Sequence, residues 1–279
     1  MFFLKRLLEL PAFPLGPVLM LLATVATASN LGMTALLDDV IDGPHRSEEN
    51  RARDQYRHPK ETLLFFGLKP EMTVVEISPG AGWYTEIIAP VLRQKGKFIA
   101  AVPALSLETP DTFKRRDAAY KNMLISDPIL YGSSSSITFD PAKPSVALPG
   151  SADMVLTFRN VHNWAKAGTS DSMFTAFYEA LKPGGILGVV EHRAKPGTSF
   201  QQQINSGYMT EAYVIATAQR AGFKLIATSE INRNPRDTAD YPGGVWTLPP
   251  SLRGVSDKDK PQYLMIGESD RMTLKFHKN

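Results

Sequence analysis

The sequence predicts an α/β fold built on an open parallel sheet. Three observations predict it. Met72 to Val102 reads as strand, glycine loop, helix, turn, strand, which is a parallel β-α-β unit. Strand-like and helix-like segments then alternate through five cycles. Most of the strand-like runs are continuously apolar, which suits strands covered on both faces.

The elements follow in order. Asn30 to Pro44 has no clear period and reads as a leader before the domain, which is taken as 47–279. Ser47 is placed to cap a solvated helix through Tyr56, rich in Glu and Arg. Pro59 suits the first residue of a short apolar helix that Gly67 stops. Thr73 to Ile77 is the first strand, and Ser78-Pro79-Gly80-Ala81-Gly82 is the turn after it. Tyr84, Ile87, Ile88, Val91 and Leu92 then fall on one helix face. Pro90 lies inside that helix and removes one donor, so a kink or an early end is expected there. Lys97 to Val102 is the second strand and Asp111 to Ser126 a helix with basic residues on part of its surface. Ile137 to Phe139, Ala152 to Phe158, Ile186 to Glu191, Phe223 to Glu230 and Asp270 to Phe276 are the remaining strands. Helices are expected over Ser172 to Leu181 and from a Thr210 cap to Ala221. The stretch 231–268 is a long Pro- and Gly-containing insertion before the last strand, of a size often found in lids.

Composition narrows the function. With 279 residues, 43% of them hydrophobic, the chain has enough material for one large domain with a full core. A net charge of +3 without basic runs gives no footprint for nucleic acid. Zero cysteines exclude disulfides, thiolate metal sites and a thiol nucleophile, and they fit an oxidising compartment. Residues 1–28 read as an export signal, with Lys5 and Arg6 at its start, an apolar stretch from Pro14 to Val25, and Ala26-Thr27-Ala28 as a small-x-small cleavage site. A retained anchor is the alternative, but the apolar stretch is shorter than the ~20 residues a spanning helix needs. No stable membrane span is expected after cleavage, and the predicted location is the periplasm or the medium.

An ordered set of motifs carries a resemblance. RHPKETLLFFGLKPEMTVVEISPGAGWYTE, FRNVHNW, LKPGGILGVVEHR and YPGGVWTLPP with GESDRMTLKF make the chain similar, from about Arg51 to Phe276, to the class I S-adenosylmethionine-dependent methyltransferases. Within them it most resembles a group of exported bacterial methyltransferase-like proteins. The resemblance implies a Rossmann-like sheet of seven strands, helices on both faces and an antiparallel last strand. It implies S-adenosylmethionine as cofactor and methyl transfer to a small-molecule acceptor. The cofactor would lie across the carboxyl ends of the strands, against Glu76, Ser78, Pro79, Gly80, Ala81, Gly82, Trp83, Tyr84, Arg159 and Asn160. Two departures stand out. The first glycine position of the family loop is Ser78. The second strand ends Ala100-Ala101-Val102-Pro103, where the family usually has an acid for the ribose hydroxyls. These departures keep a second reading in view, a non-catalytic exported binding protein on a degenerate methyltransferase fold.

The candidate chemistry is limited. Methyl transfer is a displacement that needs positioning, and a base only where the acceptor's proton must leave early. His162, with Asn163 beside it, follows the fourth strand and is the candidate base or substrate hydrogen-bonder. A structural histidine bonding a loop backbone is the alternative. Arg57, His58 and His192 are substrate-side candidates. His162, Glu191 and His192 come from adjacent strand ends, yet no short ligand spacing supports a metal, and none is expected. Trp164, Tyr208 and Trp246 are either core or an aromatic box. The G-x-G-x-x-G dinucleotide pattern is incomplete and no G-x-S-x-G is present.

Overall fold

The structure is a computed structural model and describes residues 31–279. The expected signal 1–28 lies outside the described residues. Among those residues no helix is long and apolar enough to cross a membrane.

One seven-stranded sheet organises the chain, in the order β3-β2-β1-β4-β5-β7-β6. Its strands are β1 (Thr73–Ile77), β2 (Lys97–Pro103), β3 (Ser134–Phe139), β4 (Ala152–Phe158), β5 (Leu181–His192), β6 (Phe223–Ser229) and β7 (Arg271–Lys278). β1 to β5 pair in parallel, while β7 runs antiparallel between β5 and β6. The chain reverses between β1 and β4, so their carboxyl ends form the crevice where open α/β sheets take ligands.

Alternation along β1 splits its side chains between two cores. Val75 and Ile77 join the core under α9 (Ser170–Ala180) and α11 (Glu211–Arg220). Val74 joins the opposite core, with α4 (Pro59–Phe66) and α5 (Thr85–Leu92). Glu76, two residues on from Val74, therefore points to the α5 side. Pro90 falls in the last turn of α5, which ends two residues later.

The leader is not aperiodic. Residues 31–41 form a helix, α1, which puts Met33, Leu37 and Val40 into the second core. Their i, i+4, i+7 spacing is a helix face that the sequence carried. The domain therefore begins before residue 47. Leu37 is fully buried, so Leu37→Ala is expected to destabilise the protein by about 2–5 kcal/mol. Urea unfolding tests this, and a loss below about 0.5 kcal/mol would mean that α1 is only a surface appendage.

The segment after α1 also differs from expectation. The single solvated helix is two short ones, α2 (Glu48–Arg51) and α3 (Asp54–Arg57). Ser47 does cap the first, accepting from Asn50 N. This segment is not solvated throughout, because Arg46 and Arg57 are buried. It forms a strap across the start of α5. Arg46 pairs with both oxygens of Asp54 at 2.7 and 2.8 Å, and Asn50 Nδ2 donates to both oxygens of Glu86 at 3.0 and 2.9 Å. The remaining helices are α6 (Asp111–Ser126), α7 (Pro128–Tyr131), α8 (Val161–Ala167), α10 (Phe200–Ser206) and α12 (Lys260–Ile266).

Candidate active site at the carboxyl ends of the strands

The loop after β1 has an open half and a closed half. Ser78, Gly80 and Gly82 all have positive φ, +49°, +67° and +85°. Ser78 thus holds a backbone that glycine adopts more cheaply. Gly80 and Ala81 are exposed, and a Cβ on Gly80 would meet no other atom within 4 Å. From Gly82 onward the loop is covered. Tyr120 and Met123 of α6 pack against Gly82, with Met123 Cε 2.7 Å from where a Cβ would stand.

Trp83 and Tyr84 turn inward and do not line an open pocket. Trp83 lies under the strap, with the Arg57 and Arg46 guanidinium carbons 4.6 and 5.2 Å from its ring. Its Nε1–H donates to the Asn50 carbonyl at 2.9 Å. Tyr84 stacks on Phe158 at the end of β4, with ring centroids 3.5 Å apart, and its hydroxyl donates to the Arg57 carbonyl at 3.4 Å. The loop helix α5 begins at Thr85, not at the glycines.

Glu76 is buried beneath this loop. Thr85 Oγ1 donates to its Oε2 at 2.6 Å, and the Tyr120 hydroxyl lies 3.1 Å from the same Oγ1. Burial pushes the Glu76 carboxyl up to about 7, against the hydrogen bond from Thr85 and the charge of Arg159. Across the crevice, Asn160 Nδ2 donates to the Ile77 carbonyl at 3.0 Å and Thr157 Oγ1 at 3.2 Å. Its amide nitrogen therefore ties β1 to β4. Strand β2 ends without an acid, and Glu108 is exposed in the loop beyond it. A cavity of about 430 Å³ does exist between α1, α4 and α5. It opens beside Lys69 to Glu71, at the amino end of β1, and is remote from this crevice.

The polar segment after β4 is the helix α8, and the reason lies in β5. Glu191 Oε2 accepts from the backbone nitrogens of Val161 and His162 at 2.5 and 3.3 Å, so it caps α8 from 30 residues away. Glu191 Oε1 accepts from His192 N at 2.8 Å and lies 3.0 Å from His162 Nδ1. A carboxylate only accepts, so facing one the His162 ring donates from Nδ1 and turns Nε2 away from Glu191. His192 Nδ1 lies 2.5 Å from Ser269 Oγ. Burial first, then His162, lowers the His192 pKa and keeps it neutral. The rings of His162 and His192 stand 5.3 Å apart, with Trp246 6.0 Å from the first and Tyr208 6.1 Å from the second.

The remaining expectations divide. Ligating atoms of His162, Glu191 and His192 do gather within 4.8 Å, but both Glu191 oxygens are already committed to four donors. Asn163 is exposed while His162 is buried, so the structure does not bring this pair together. Trp164 belongs to the core against Phe174 and Phe177. His58 sits at φ +40° between α3 and α4, with Nδ1 buried and unpaired among the described residues. The insertion 231–268 is tied down, not a free lid. Asn232 donates to Thr62 and Thr273, and Asn234 to the Ile266 and Glu268 carbonyls.

One group escaped sequence reasoning. Glu268 is buried among four arginines. Arg53 Nε donates to it at 2.6 Å, Arg57 Nε at 3.0 Å, Arg271 closes on it tightly, and Arg159 Nη1 stands 3.6 Å away. Arg159 follows β4, Arg271 opens β7 beside His192, and Arg53 and Arg57 come from the strap. No local pattern joins these positions.

Comparison with solved structures places the fold. A SAM-dependent methyltransferase from Aquifex aeolicus is 14% identical with a TM-score of 0.53, over 88% of this chain and 98% of that one. Geranyl diphosphate C-methyltransferase from Streptomyces coelicolor A3(2), solved with Mg2+, geranyl diphosphate and S-adenosyl-L-homocysteine, is 13% identical with a TM-score of 0.52, over 86% and 87%. The [4+2]-cyclase SpnF is 14% identical with a TM-score of 0.54, over 90% and 94%. No protein-family model and no curated protein matches the sequence. The sheet order with its antiparallel β7 is that of the class I methyltransferase fold.

Proposed function

We infer that the protein is an S-adenosylmethionine-dependent methyltransferase acting on a small-molecule acceptor. One observation carries this reading. A buried carboxyl, Glu76, lies directly under a loop whose open half exposes backbone at Gly80 and Ala81, at the carboxyl end of β1 in this sheet order. The residues fit the charged half of such a cofactor. Glu76 is the counter-charge for an ammonium or sulfonium, and the Ser78 to Ala81 backbone leaves room for close approach. The ribose finds no acid on β2 and has to be held by backbone or by hydroxyls.

When bound, the cofactor supplies a methyl group on a sulfonium sulfur, for transfer by displacement. The protein's own part is to orient and to take a proton. Glu191 holds the His162 ring through Nδ1 and leaves Nε2 to face the acceptor, and the neutral His192 beside it adds no repelling charge. Trp246 and Tyr208 flank the pair and limit water at that side. The apolar amino terminus with its small-x-small end supports an exported, periplasmic or secreted location.

A ligand-binding role without methyl transfer is favoured by the Tyr84–Phe158 stack and by the α6 cover on Gly82, which narrow the crevice. One titration separates the two. Calorimetry of the protein with S-adenosylmethionine, beside Gly80→Arg, is expected to give saturable binding that the variant loses while its circular dichroism is kept. No heat at millimolar cofactor would sink the methyltransferase reading.

A further inference from the structure

The arginines around Glu268 are out of balance. Four guanidinium groups face one carboxylate and leave three positive charges at the carboxyl end of the sheet. Two other arginines of the fold, one buried and one half-buried, are outnumbered by acids. Arg193 is met by Asp270, Glu211 and Glu230, and Arg46 by Asp54 and Glu86. The cluster at Glu268 inverts that ratio.

Its donors are also unspent. Arg57 Nη1 and Arg271 Nε are buried and have no hydrogen-bond partner among the described residues. The Arg159 side chain makes no hydrogen bond among those residues, and its Nη1 approaches Glu268 only to 3.6 Å. A buried guanidinium without an acceptor is costly, because its hydration is lost and nothing replaces it. Burial, then the charge of Arg271, pushes Arg159 down to about 10. These groups are arranged in depth. Arg57 and Arg271 form a floor, with side chains 2% and 3% exposed, while Arg53 and Arg159 form a rim, 23% and 24% exposed. Solvent reaches the cluster from the rim.

The surroundings make it part of the candidate active site. The Arg57 carbonyl accepts from Tyr84 on the glycine loop, and Arg271 pairs with His192 across β5 and β7. The cluster therefore lies between the glycine loop and the His162–His192 pair.

We propose that the arginine cluster is an oxyanion site, which binds the carboxylate or phosphate of the methyl acceptor against Arg159 and Arg53. Guanidinium forks match both groups by paired N–H donors, which an ammonium cannot do. The assignment to the acceptor rests on the methyl-transfer reading, but anion binding itself does not. Glu268 holds the floor arginines in register and takes the Nε donor of Arg53, which leaves Arg159 and the other Arg53 donors for the ligand. The same cluster is thus half built and completed by the substrate.

The test uses inorganic phosphate on the whole protein. Thermal melts with 0 to 20 mM phosphate, at constant ionic strength set by chloride, are expected to give a saturable rise in Tm (the concentrations are chosen to span about a decade around millimolar affinity). Arg159→Gln and Arg53→Gln are each expected to weaken that response at least tenfold. Arg159→Gln should melt no lower than wild type without phosphate, since it removes surplus charge and breaks no hydrogen bond. A response equal to that of chloride, or one that Arg159→Gln retains, overturns the proposal. Cofactor titration with and without saturating phosphate identifies the source of the anion. Unchanged cofactor affinity keeps the site for the acceptor. Competition would give the cluster to the cofactor's own carboxylate and overturn the acceptor assignment. Phosphate binding without any cofactor binding would sink the methyl-transfer reading and sustain the oxyanion site.

Discussion

At pH 8, Glu76→Gln is expected to unfold at a higher temperature than wild type and to lose affinity for S-adenosylmethionine. Glu76 is an acid whose folded pKa, about 7, lies above its ordinary value of 4.5. The folded state therefore holds a proton that the unfolded chain releases. Stability linked to this group is fully present below the ordinary pKa and is lost as the pH rises to about 7. Above that pH the ionised, buried carboxylate costs about 3 kcal/mol. Glutamine keeps an oxygen for the 2.6 Å bond from Thr85 and removes the charge. The gain should be roughly 5 °C or more at pH 8 and vanish near pH 4. Melts of both proteins between pH 4 and 8 check it. A variant less stable by the same amount at every pH would show that the carboxylate serves structure alone.

Glu268→Gln is expected to be the most damaging single change, by about 3–5 kcal/mol, because it leaves four arginines without their shared anion. Burial alone would raise the Glu268 pKa. Arg271, Arg57, Arg159 and Arg53 instead hold it well below the usual carboxylate range. Its sign is opposite to that of Glu76. The stabilisation is complete above the ordinary carboxylate pKa and declines as the pH falls toward the depressed value. Urea unfolding at pH 7 and pH 3.5 measures both ends. The gap between wild type and variant should be widest at pH 7 and narrow at pH 3.5. A variant within about 1 kcal/mol of wild type at pH 7 would mean that the cluster is open enough for water to replace the carboxylate.

Much of this was legible in the sequence, and the limits have physical causes. Strands β1, β2 and β4 and the glycine loop depend on local pattern and turn chemistry, and they appear nearly where the residues place them. The His162–His192 pair was legible as two strand ends, because parallel neighbours bring their carboxyl ends together. Helix α8 was not, since its cap, Glu191, comes from another strand. Helix α1 was missed although Met33, Leu37 and Val40 carried the period, because Asp38, Asp39 and Gly32 dilute it. Trp83 and Tyr84 read as cofactor residues by position in the loop, but the strap and Phe158 gave them inward partners. The arginine cluster left no local mark. Arg53 reads as a solvated helix residue and Glu268 as part of a loop, and only tertiary structure joins them.

That separation has a consequence for how the site comes into being. Arg53 and Arg57 meet Glu268 across 215 and 211 positions of chain, and Arg271 lies three residues further on. On a ribosome the strap emerges more than 200 residues ahead of its counter-ion. Contacts of such span are entropically slow to close and form late. The sheet can assemble around α4, α5 and β1 while the strap still floats in water with its charges hydrated. Docking the strap has to wait for Glu268, and pairing across the molecule couples it to the placement of β7. A nascent chain that stops short of residue 268 would lack β7, which joins β6 to the sheet, as well as the carboxylate, so neither the sheet nor the crevice would be finished.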